Sequence, residues 1–238
     1  MHGASIGGHR AMRIVILTGA GISAESGMGT FRDKGGLWEN PDLMKLATPE
    51  GFAADPAAVH AWYNMRRAKV RSSQPNAAHV ALASLQMDPR AEVTLVTQNV
   101  DDLHERAGSP DVIHMHGTHL IARCTNCDTR WPAPTEMSTE TLCVDCGGMA
   151  RPDVVWFGET PHHMDRIGTA LTQADLFVAI GTSGVVYPAA GFVEVARQVG
   201  ADTLELNLAP SERASDFARA QFGPATEVVP EWVADVLA

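Results

Sequence analysis

Four short apolar runs, each followed by glycine or small polar residues, constrain the fold of this chain more than any other feature. The runs are RIVILT at 13–18, EVTLVT at 92–97, DLFVAI at 175–180 and TLELN at 203–207. Helical patterns follow two of them, NAAHVALASL at 76–85 and AAGFVEVARQV at 189–199. Strands that alternate with helices are typical of a parallel sheet covered on both faces. We therefore predict an α/β fold built on a Rossmann-like, doubly wound parallel sheet.

The residues directly after these runs predict one shared ligand crevice. In open α/β sheets, ligands bind outside the carboxyl ends of the strands. The small and polar residues at these four ends are Gly19, Ala20, Gly21, Gln98, Asn99, Gly181, Thr182, Ser183 and Asn207. Polar turn residues can follow any strand, so a single end carries little weight. The coincidence of four such ends indicates an active site.

The first of these ends resembles a dinucleotide-binding turn. Gly19, Gly21 and Ala24 match the G-x-G-x-x-G/A pattern, and SAES at 23–26 offers a helix start whose free N–H groups would face a pyrophosphate. A tight turn without a ligand is the alternative. A dehydrogenase also needs a second strand that ends in an acid about twenty residues on. The region at 30–40, TFRDKGGLWEN, has no strand pattern, so hydride transfer is disfavoured.

Four cysteines stand in two C-x-x-C pairs, Cys124 with Cys127 and Cys143 with Cys146. This spacing is typical of a structural zinc site, because two such pairs close a tetrahedron of thiolates and leave no position for water. Two disulfides or four free thiols are the alternatives. We predict one structural Zn²⁺ in an inserted module.

Composition and charge exclude several classes of protein. An apolar fraction of 45% and a charged fraction of 19% are typical of globular chains, and no run approaches the roughly 20 apolar residues of a membrane span. The net charge of -10 argues against a nucleic-acid partner, because such binding needs a basic face. The start, MHGASIGGHR, lacks the apolar segment of a secretory leader. We expect a cytoplasmic monomer with no membrane or nucleic-acid partner.

Several motifs, in order along the chain, resemble those of the sirtuins. They are GAGISAESGMGTFR at 19–32, TQNVDDLHERAG at 97–108, HMHG at 114–117, the paired C-x-x-C, VVWFGE at 154–159, GTSGVVYPAA at 181–190 and ELNLAP at 205–210. The resemblance is strongest to bacterial NAD-dependent protein deacylases. It implies that NAD is a co-substrate, that the acyl group of a modified lysine passes to ADP-ribose, and that nicotinamide and free lysine are released.

The resemblance also implies three catalytic residues. His116 matches the family's catalytic histidine, and an imidazole with an ordinary pKa of about 6.5 suits proton abstraction at neutral pH. Asn99 and Asp101 match the residues that order the reacting ribose and bind the nicotinamide carboxamide. His114 lies two residues before His116, on the same side of an expected strand. An H-x-H metal site, with His119 as a further ligand, is therefore the alternative.

By the same resemblance, the dinucleotide site includes residues of the first turn and of the strand ends. These are Gly19, Ala20, Gly21, Ser23, Arg32, Gln98, Asn99, Asp101, Gly181, Thr182, Ser183 and Asn207. Arg32 could instead form a surface ion pair. Asp102 stays unassigned and could cap a helix.

The substrate peptide, an acylated-lysine segment of a protein partner, would add as a strand between two edges of the chain. The resemblance places these edges at Val155, Phe157, Gly158 and Glu159 on one side and at Gly184 and Val185 on the other. Main-chain pairing of this kind tolerates many side chains. We therefore expect a broad range of lysine sites.

The segment AWYNMRRAKV at 61–70 predicts which acyl groups are removed. Tyr63 and Arg66 match the Tyr-x-x-Arg pair of the sirtuin branch that removes acidic acyl groups, and their i, i+3 spacing lets both reach one carboxylate. Ala47 matches a small residue that would widen the acyl pocket. Succinyl, malonyl and glutaryl lysine are the expected substrates, together with acetyl lysine. A solvated basic face of Arg66, Arg67, Lys69 and Arg71 is the alternative.

We predict two domains with a cleft between them that holds NAD and acyl-lysine. The Rossmann-like domain comprises 11–34, 75–122 and 152–238, and the small domain comprises a helical insertion at 35–74 and the zinc-ribbon module at 123–151. Two functions of other kinds stay open. One is an ADP-ribosyltransferase that uses the same NAD cleavage, and the other is a zinc-ribbon module that senses NAD without cleaving it.

Overall fold

The computed structural model of the chain describes residues 10–30 and 41–238. Its strands are β1 (Met12–Thr18), β2 (Ala91–Thr97), β3 (Val112–His114), β4 (Gly117–Cys124), β5 (Arg130–Pro132), β6 (Ala150–Val154), β7 (Leu176–Ile180), β8 (Asp202–Asn207) and β9 (Arg219–Phe222). Its α-helices are α1 (Ala20–Ser23), α2 (Pro41–Lys45), α3 (Pro49–Ala54), α4 (Pro56–Ser72), α5 (Ala77–Met87), α6 (Leu103–Arg106), α7 (Met164–Gln173), α8 (Phe192–Gln198) and α9 (Ala225–Val236).

The main sheet has six parallel strands in the order β3-β2-β1-β7-β8-β9. This is the strand order of dinucleotide-binding folds, in which the order reverses at the centre and opens a crevice there. The four apolar runs form β1, β2, β7 and β8, so the predicted fold class is confirmed. The edge strands β3 and β9 were not predicted, because they are too short to show an apolar pattern.

Side chains of β1 alternate between the two faces of this sheet. Ile14 and Ile16 belong to the core that α5 and α9 cover, and Val15 and Leu17 belong to the core that α7 and α8 cover. Because helices cover both faces, every position of the strand favours an apolar residue. For this reason β1 is continuously apolar from Ile14 to Leu17 and does not alternate between apolar and polar residues.

The helix α4 carries Tyr63 and Arg66, the pair predicted to recognise the acyl group, and its start is fixed locally. Asp55 is the N-cap residue, its carboxylate accepts a hydrogen bond of 2.9 Å from the Ala58 amide, and Pro56 follows at the first helical position. The buried side of α4 presents Val59 and Tyr63 to a cluster that includes Trp156, just past the end of β6. This packing places α4 across the carboxyl edge of the main sheet.

A second, antiparallel sheet with the order β5-β4-β6 carries the cysteine pairs. It runs from Gly117 to Val154 and so extends beyond 123–151 on both sides. Asn64 of α4 joins it to the helical insertion, since its amide donates to the Met137 carbonyl at 2.8 Å and its oxygen accepts the Met137 N–H at 2.9 Å. The division into domains at the predicted bounds remains a prediction.

Arg67 is wholly buried at this junction and is not part of a solvated face. Its side chain is 0% exposed and donates to the His119 carbonyl at 2.7 Å and to Asn64 Oδ1 at 2.7 Å. Burial lowers the pKa of Arg67 to about 10, which still leaves it charged at neutral pH. The basic-face interpretation of 61–70 is therefore wrong for this residue, because periodicity alone did not reveal which side of α4 is covered.

Within the described ranges, no helix has both the length and the apolar character that crossing a membrane requires.

Candidate active site

A cavity of about 460 Å³ opens where the carboxyl ends of the central strands meet α4. The predicted site residues that line it are Gly19, Ala20, Gly21, Ala47, Tyr63, Arg66, Gln98, Asn99, His116, Val155, Phe157, Gly158, Glu159, Gly181, Thr182, Ser183 and Asn207. Ser23, Asp101, Gly184 and Val185 are absent from its lining, and Arg32 lies outside the described residues. One cavity thus brings together most of the residues expected for NAD and for the acyl group.

The first turn is held against the turn after β7 by direct backbone contacts. The Gly21 amide donates to the Gly181 carbonyl at 2.8 Å, and the Gly19 amide donates to the Ile180 carbonyl at 2.9 Å. A Cβ on Gly181 would lie 2.5 Å from the Ile22 nitrogen, and this glycine has a φ of +59°. The helix begins at Ala20 and not within SAES, because the chain turns immediately after Gly19.

Asn99, Ser23 and Asp101 form a buried hydrogen-bonded chain at the cavity wall. The Asn99 amide donates to the Gly19 carbonyl at 3.1 Å and to Ser23 Oγ at 3.2 Å. Ser23 Oγ donates to Asp101 Oδ2 at 3.2 Å, and the Leu103 amide donates to Asp101 Oδ1 at 3.1 Å. Burial raises the pKa of Asp101 above its ordinary value. Ser23 and Asp101 therefore support the wall from behind, while Asn99 reaches the cavity.

His116 lies in the turn between β3 and β4, and not on a strand as expected. Its Nδ1 is 3.1 Å from the Gln98 carbonyl oxygen. A carbonyl only accepts, so Nδ1 carries the hydrogen and Nε2 is left with a free electron pair in the neutral ring. Burial lowers the pKa of His116, which keeps the ring neutral. The geometry provides a base at the cavity wall.

His114 has different partners and does not line the cavity. Its Nε2 is 2.6 Å from Glu105 Oε1, and its Nδ1 is 3.2 Å from the Asn99 carbonyl. Although burial opposes it, the contact with Glu105 raises the pKa of His114. Over residues 10–30 and 41–238, only the four cysteines group as metal ligands, which disfavours the H-x-H metal site. Asp102 is the N-cap of α6 but makes no capping bond with its side chain.

The end of the cavity that is expected to hold the acyl group, called the acyl end below, lies between α4 and the segment after β6. Tyr63 is 2% exposed, and its hydroxyl accepts a hydrogen bond of 2.8 Å from Trp156 Nε1. The Arg66 guanidinium lies 5.0 Å from the centre of the Trp62 ring. Ala47 accepts a hydrogen bond of 3.0 Å from the Phe157 amide, so the small residue is part of the wall itself.

Sequence reasoning missed two residues of this end and mistook a third. Trp62 and Trp156 line the cavity, although the sequence patterns did not predict them as site residues. His119, considered only as a loose metal ligand, lines it too, and its ring packs edge-on against Tyr63 with centroids 5.4 Å apart. No local signal distinguishes these side chains, because their contacts join distant parts of the chain.

The segment expected to pair with a substrate peptide lies beyond the end of β6. The Val155 amide donates to the His116 carbonyl at 2.9 Å, which ties this segment to the turn between β3 and β4. Glu159 turns inward, and its carboxylate accepts hydrogen bonds of 2.6 and 2.9 Å from Arg151. Glu159 thus belongs to a partly buried ion pair in addition to the cavity lining. The peptide-binding role of this edge, and of Gly184 and Val185, remains a prediction.

The four cysteine sulfurs converge as a metal site requires. All four lie within 4.8 Å of one another, with Cys124 and Cys146 3.4 Å apart and Cys127 and Cys143 3.7 Å apart. Tetrahedral zinc with Zn–S bonds of about 2.3 Å places its sulfurs about 3.8 Å from each other. The cysteines form no disulfide, which excludes that alternative in this structure. The donor set fits one structural Zn²⁺.

Comparison with known proteins agrees with this geometry. The model of the Sir2 family matches residues 19–188. An NAD-dependent protein deacylase of Caulobacter vibrioides is 55% identical over 95% of this chain and 98% of its own length, and one of Escherichia coli K12 is 53% identical over 94% and 82%. The solved structure of a Sir2 homologue in complex with NAD is 42% identical, with a TM-score of 0.86 over 94% of this chain and 89% of that one. The chain therefore belongs to the Sir2 family.

Proposed function

We propose that this chain is an NAD-dependent protein-lysine deacylase that removes acidic acyl groups, namely succinyl, malonyl and glutaryl, as well as acetyl. NAD is the co-substrate, Zn²⁺ is structural, and acylated proteins are the partners. The deacylase activity is the one by which the curated relatives are named. The observation that carries the finer proposal is that Tyr63 and Arg66 line the same cavity as His116 and Asn99.

The reaction places clear demands on the end of the cavity near the sheet. The acyl oxygen of the modified lysine displaces nicotinamide from the ribose carbon of NAD, which requires close reactants and little competing water. A ribose hydroxyl then gives its proton to Nε2 of His116 and attacks the acyl carbon. Addition of one water completes the release of lysine and of O-acyl-ADP-ribose. Asn99, fixed by its bonds to the first turn, is placed to order the ribose.

The acyl end supplies the preference for a negative charge. Arg66 offers a charge-assisted and bidentate contact to a carboxylate, and Tyr63 offers a directed hydroxyl. Burial lowers the pKa of Arg66, yet a guanidinium remains protonated in proteins. An acetyl group has no carboxylate to meet either residue. Acidic acyl groups therefore gain binding energy at this end that acetyl does not.

The test compares one peptide carried as acetyl-lysine and as succinyl-lysine, with nicotinamide release followed in parallel. Hydrogen bonds to charged groups contribute about 1.5–3 kcal/mol, so we expect Arg66→Met to lower kcat/KM for the succinyl peptide by about 10- to 100-fold. Deacetylation should be nearly unchanged. Lys69→Met is the matched control, since it removes an exposed positive charge from α4 away from the cavity.

Three other outcomes are informative. An equal loss on both peptides would contradict acyl recognition by Arg66. Absence of nicotinamide release from both would contradict the deacylase itself. Label from NAD that stays on the protein target would favour ADP-ribosyl transfer.

A further inference from the structure

We infer that Trp156 is a specificity-determining positioning residue, because its indole N–H directs the hydroxyl of Tyr63 toward the acyl carboxylate. This inference deepens the proposed function and rests on it. Trp156 would act through Tyr63 and would not itself touch the carboxylate. The preference for acidic over plain acyl groups would then depend on a hydrogen bond between two distant parts of the chain.

The direction of that hydrogen bond follows from the chemistry of its two groups. Trp156 Nε1 and Tyr63 Oη are 2.8 Å apart, and both side chains are 2% exposed. An indole nitrogen can only donate, so the Tyr63 oxygen must accept. The hydroxyl hydrogen of Tyr63 then has to point elsewhere. Without the Trp156 N–H, the hydroxyl of Tyr63 would be free to rotate, and its hydrogen would no longer be directed toward the cavity.

Nothing else in the described part of the chain takes this hydrogen. Trp156 is the hydrogen-bond partner that the structure shows for Tyr63 within 10–30 and 41–238. His119 packs against the Tyr63 ring, but neither of its ring nitrogens has a hydrogen-bond partner there. Tyr63 lines the cavity, so a carboxylate that enters the acyl end can accept its hydrogen.

The protonation of Tyr63 suits a donor. Burial raises the pKa of Tyr63 well above its ordinary value, although the bond from Trp156 lowers it in part. The phenol therefore keeps its hydrogen over the whole neutral and mildly alkaline range. A carboxylate ligand requires such a donor, because an ionised carboxylate can only accept.

Trp156 is itself held in a fixed orientation from two sides. The Arg151 guanidinium carbon lies 3.3 Å from the centre of its ring, and Glu159 binds Arg151 through both carboxylate oxygens. The Trp156 backbone N–H also donates to Glu159 Oε2 at 2.8 Å. The ring and the backbone are thus restrained by one ion pair. A positioning group needs this restraint, since a loosely held donor would fix nothing.

The experiment is a double-mutant cycle of Trp156→Phe and Tyr63→Phe, measured on acetyl and succinyl peptides. Trp156→Phe keeps an aromatic ring and removes the N–H. A lost hydrogen bond is worth about 1 kcal/mol, so we expect about a five- to tenfold fall in kcat/KM for desuccinylation. The fall should appear mainly in KM, with deacetylation kept. In the Tyr63→Phe background, Trp156→Phe should cause no further loss.

Two matched variants separate this role from simple packing. Trp156→His loses the larger ring but can present an N–H at the ring position of Nε1, and it should regain part of the acidic preference. Trp131→Phe makes the same chemical change in β5, outside the cavity, and should leave the preference unchanged. Zinc content and thermal unfolding report whether each variant is folded. Equal losses on both peptides, additive losses in the cycle or no rescue by Trp156→His would overturn the inference.

The same peptides distinguish this inference from the proposed function. If Arg66→Met leaves the succinyl preference intact, the proposed function is wrong. If Arg66→Met removes the preference while Trp156→Phe does not, the acidic preference stands and only the role of Trp156 is wrong.

Discussion

The two ends of the cavity differ in how their polar groups are satisfied. One end is formed by the carboxyl ends of the central strands and is called the sheet end. There, Gln98 donates to Thr182 Oγ1 at 2.9 Å, and Asn207 donates to the Thr182 carbonyl at 2.8 Å. Asn99 donates to the Gly19 carbonyl of the first turn. At the acyl end, both ring nitrogens of His119 lack a partner among the residues that the structure describes. These amide side chains of the sheet end are thus hydrogen-bonded within the protein, whereas the buried ring nitrogens of His119 at the acyl end are not.

This difference has a physical origin in the two kinds of wall. Parallel strands bring their carboxyl ends to one edge, so backbone groups and short polar side chains meet there at fixed distances. The acyl end is made by a helix and an irregular segment, whose side chains meet only through tertiary packing. An unpartnered buried polar group costs about 1–3 kcal/mol, and a ligand that pairs with it recovers that cost. Under the proposed function, we therefore expect selectivity between acyl groups to arise at the acyl end.

The largest effect is expected from His116→Ala. The proposed base belongs to the sheet end, so its loss should lower deacylation of acetyl and succinyl peptides by the same factor. General-base catalysis contributes about 10²- to 10⁴-fold, and we expect a fall in kcat in this range. Single-turnover assays on both peptides measure it. A fall in kcat that differs strongly between the two acyl groups would contradict the idea that His116 acts in catalysis without contributing to the acyl preference.

The next effect is expected from Gly181→Ala, which disturbs the contact between the two turns. The new Cβ would lie 2.5 Å from the Ile22 nitrogen, and the φ of +59° disfavours side chains. Strain of about 1–3 kcal/mol should raise KM for NAD by about 5- to 150-fold with either peptide.

Gly108→Ala is the control for that substitution. It has a φ of +102° but no atom within 4 Å of the new Cβ. It should lower thermal stability and leave KM for NAD unchanged. If Gly108→Ala raises KM for NAD as much as Gly181→Ala does, the close contact between the two turns does not determine NAD binding at the sheet end.

A smaller effect is expected on the free energy of unfolding, which one substitution at the acyl end should raise and one at the sheet end should lower. Burial and the charges of Arg66 and Arg67 lower the pKa of His119 far below its ordinary value, so the ring is neutral. His119→Leu removes its unpartnered nitrogens and should raise the free energy of unfolding by about 1 kcal/mol. Asn207→Leu removes satisfied bonds and should lower it by about as much. Urea unfolding of the ligand-free variants tests both, and destabilisation by His119→Leu would refute the contrast.

The smallest effect concerns pH. Burial lowers the pKa of His116, so the neutral base persists as the pH falls below the ordinary histidine value of about 6.5. The acid limb of kcat/KM should therefore lie below pH 6.5 and should be the same for both acyl groups, because kcat/KM reports the free enzyme. A limb at or above that value, or one that shifts with the acyl group, would contradict the assignment of the base to the sheet end.

The sequence by itself determined the features that depend on neighbouring residues. The central strands β1, β2, β7 and β8 were predicted because burial on both faces makes each a continuous apolar run. The zinc site followed from the spacing of Cys124, Cys127, Cys143 and Cys146, since each pair forms one local turn. The small and polar residues at the strand ends were visible for the same reason. The sequence thus predicted many of the residues that line the sheet end of the cavity, although it did not single out Val100, Leu206 or Leu208.

Only the tertiary structure decided what meets across the acyl end. The segment at 61–70 suggested Tyr63 and Arg66 but could not show that Arg67 is buried or that Trp156 donates to Tyr63. Nor could VVWFGE show that Glu159 turns inward to Arg151. These contacts depend on how α4 packs over the end of β6. No local pattern encodes that packing, because a side chain's surroundings are set by residues far away in the chain.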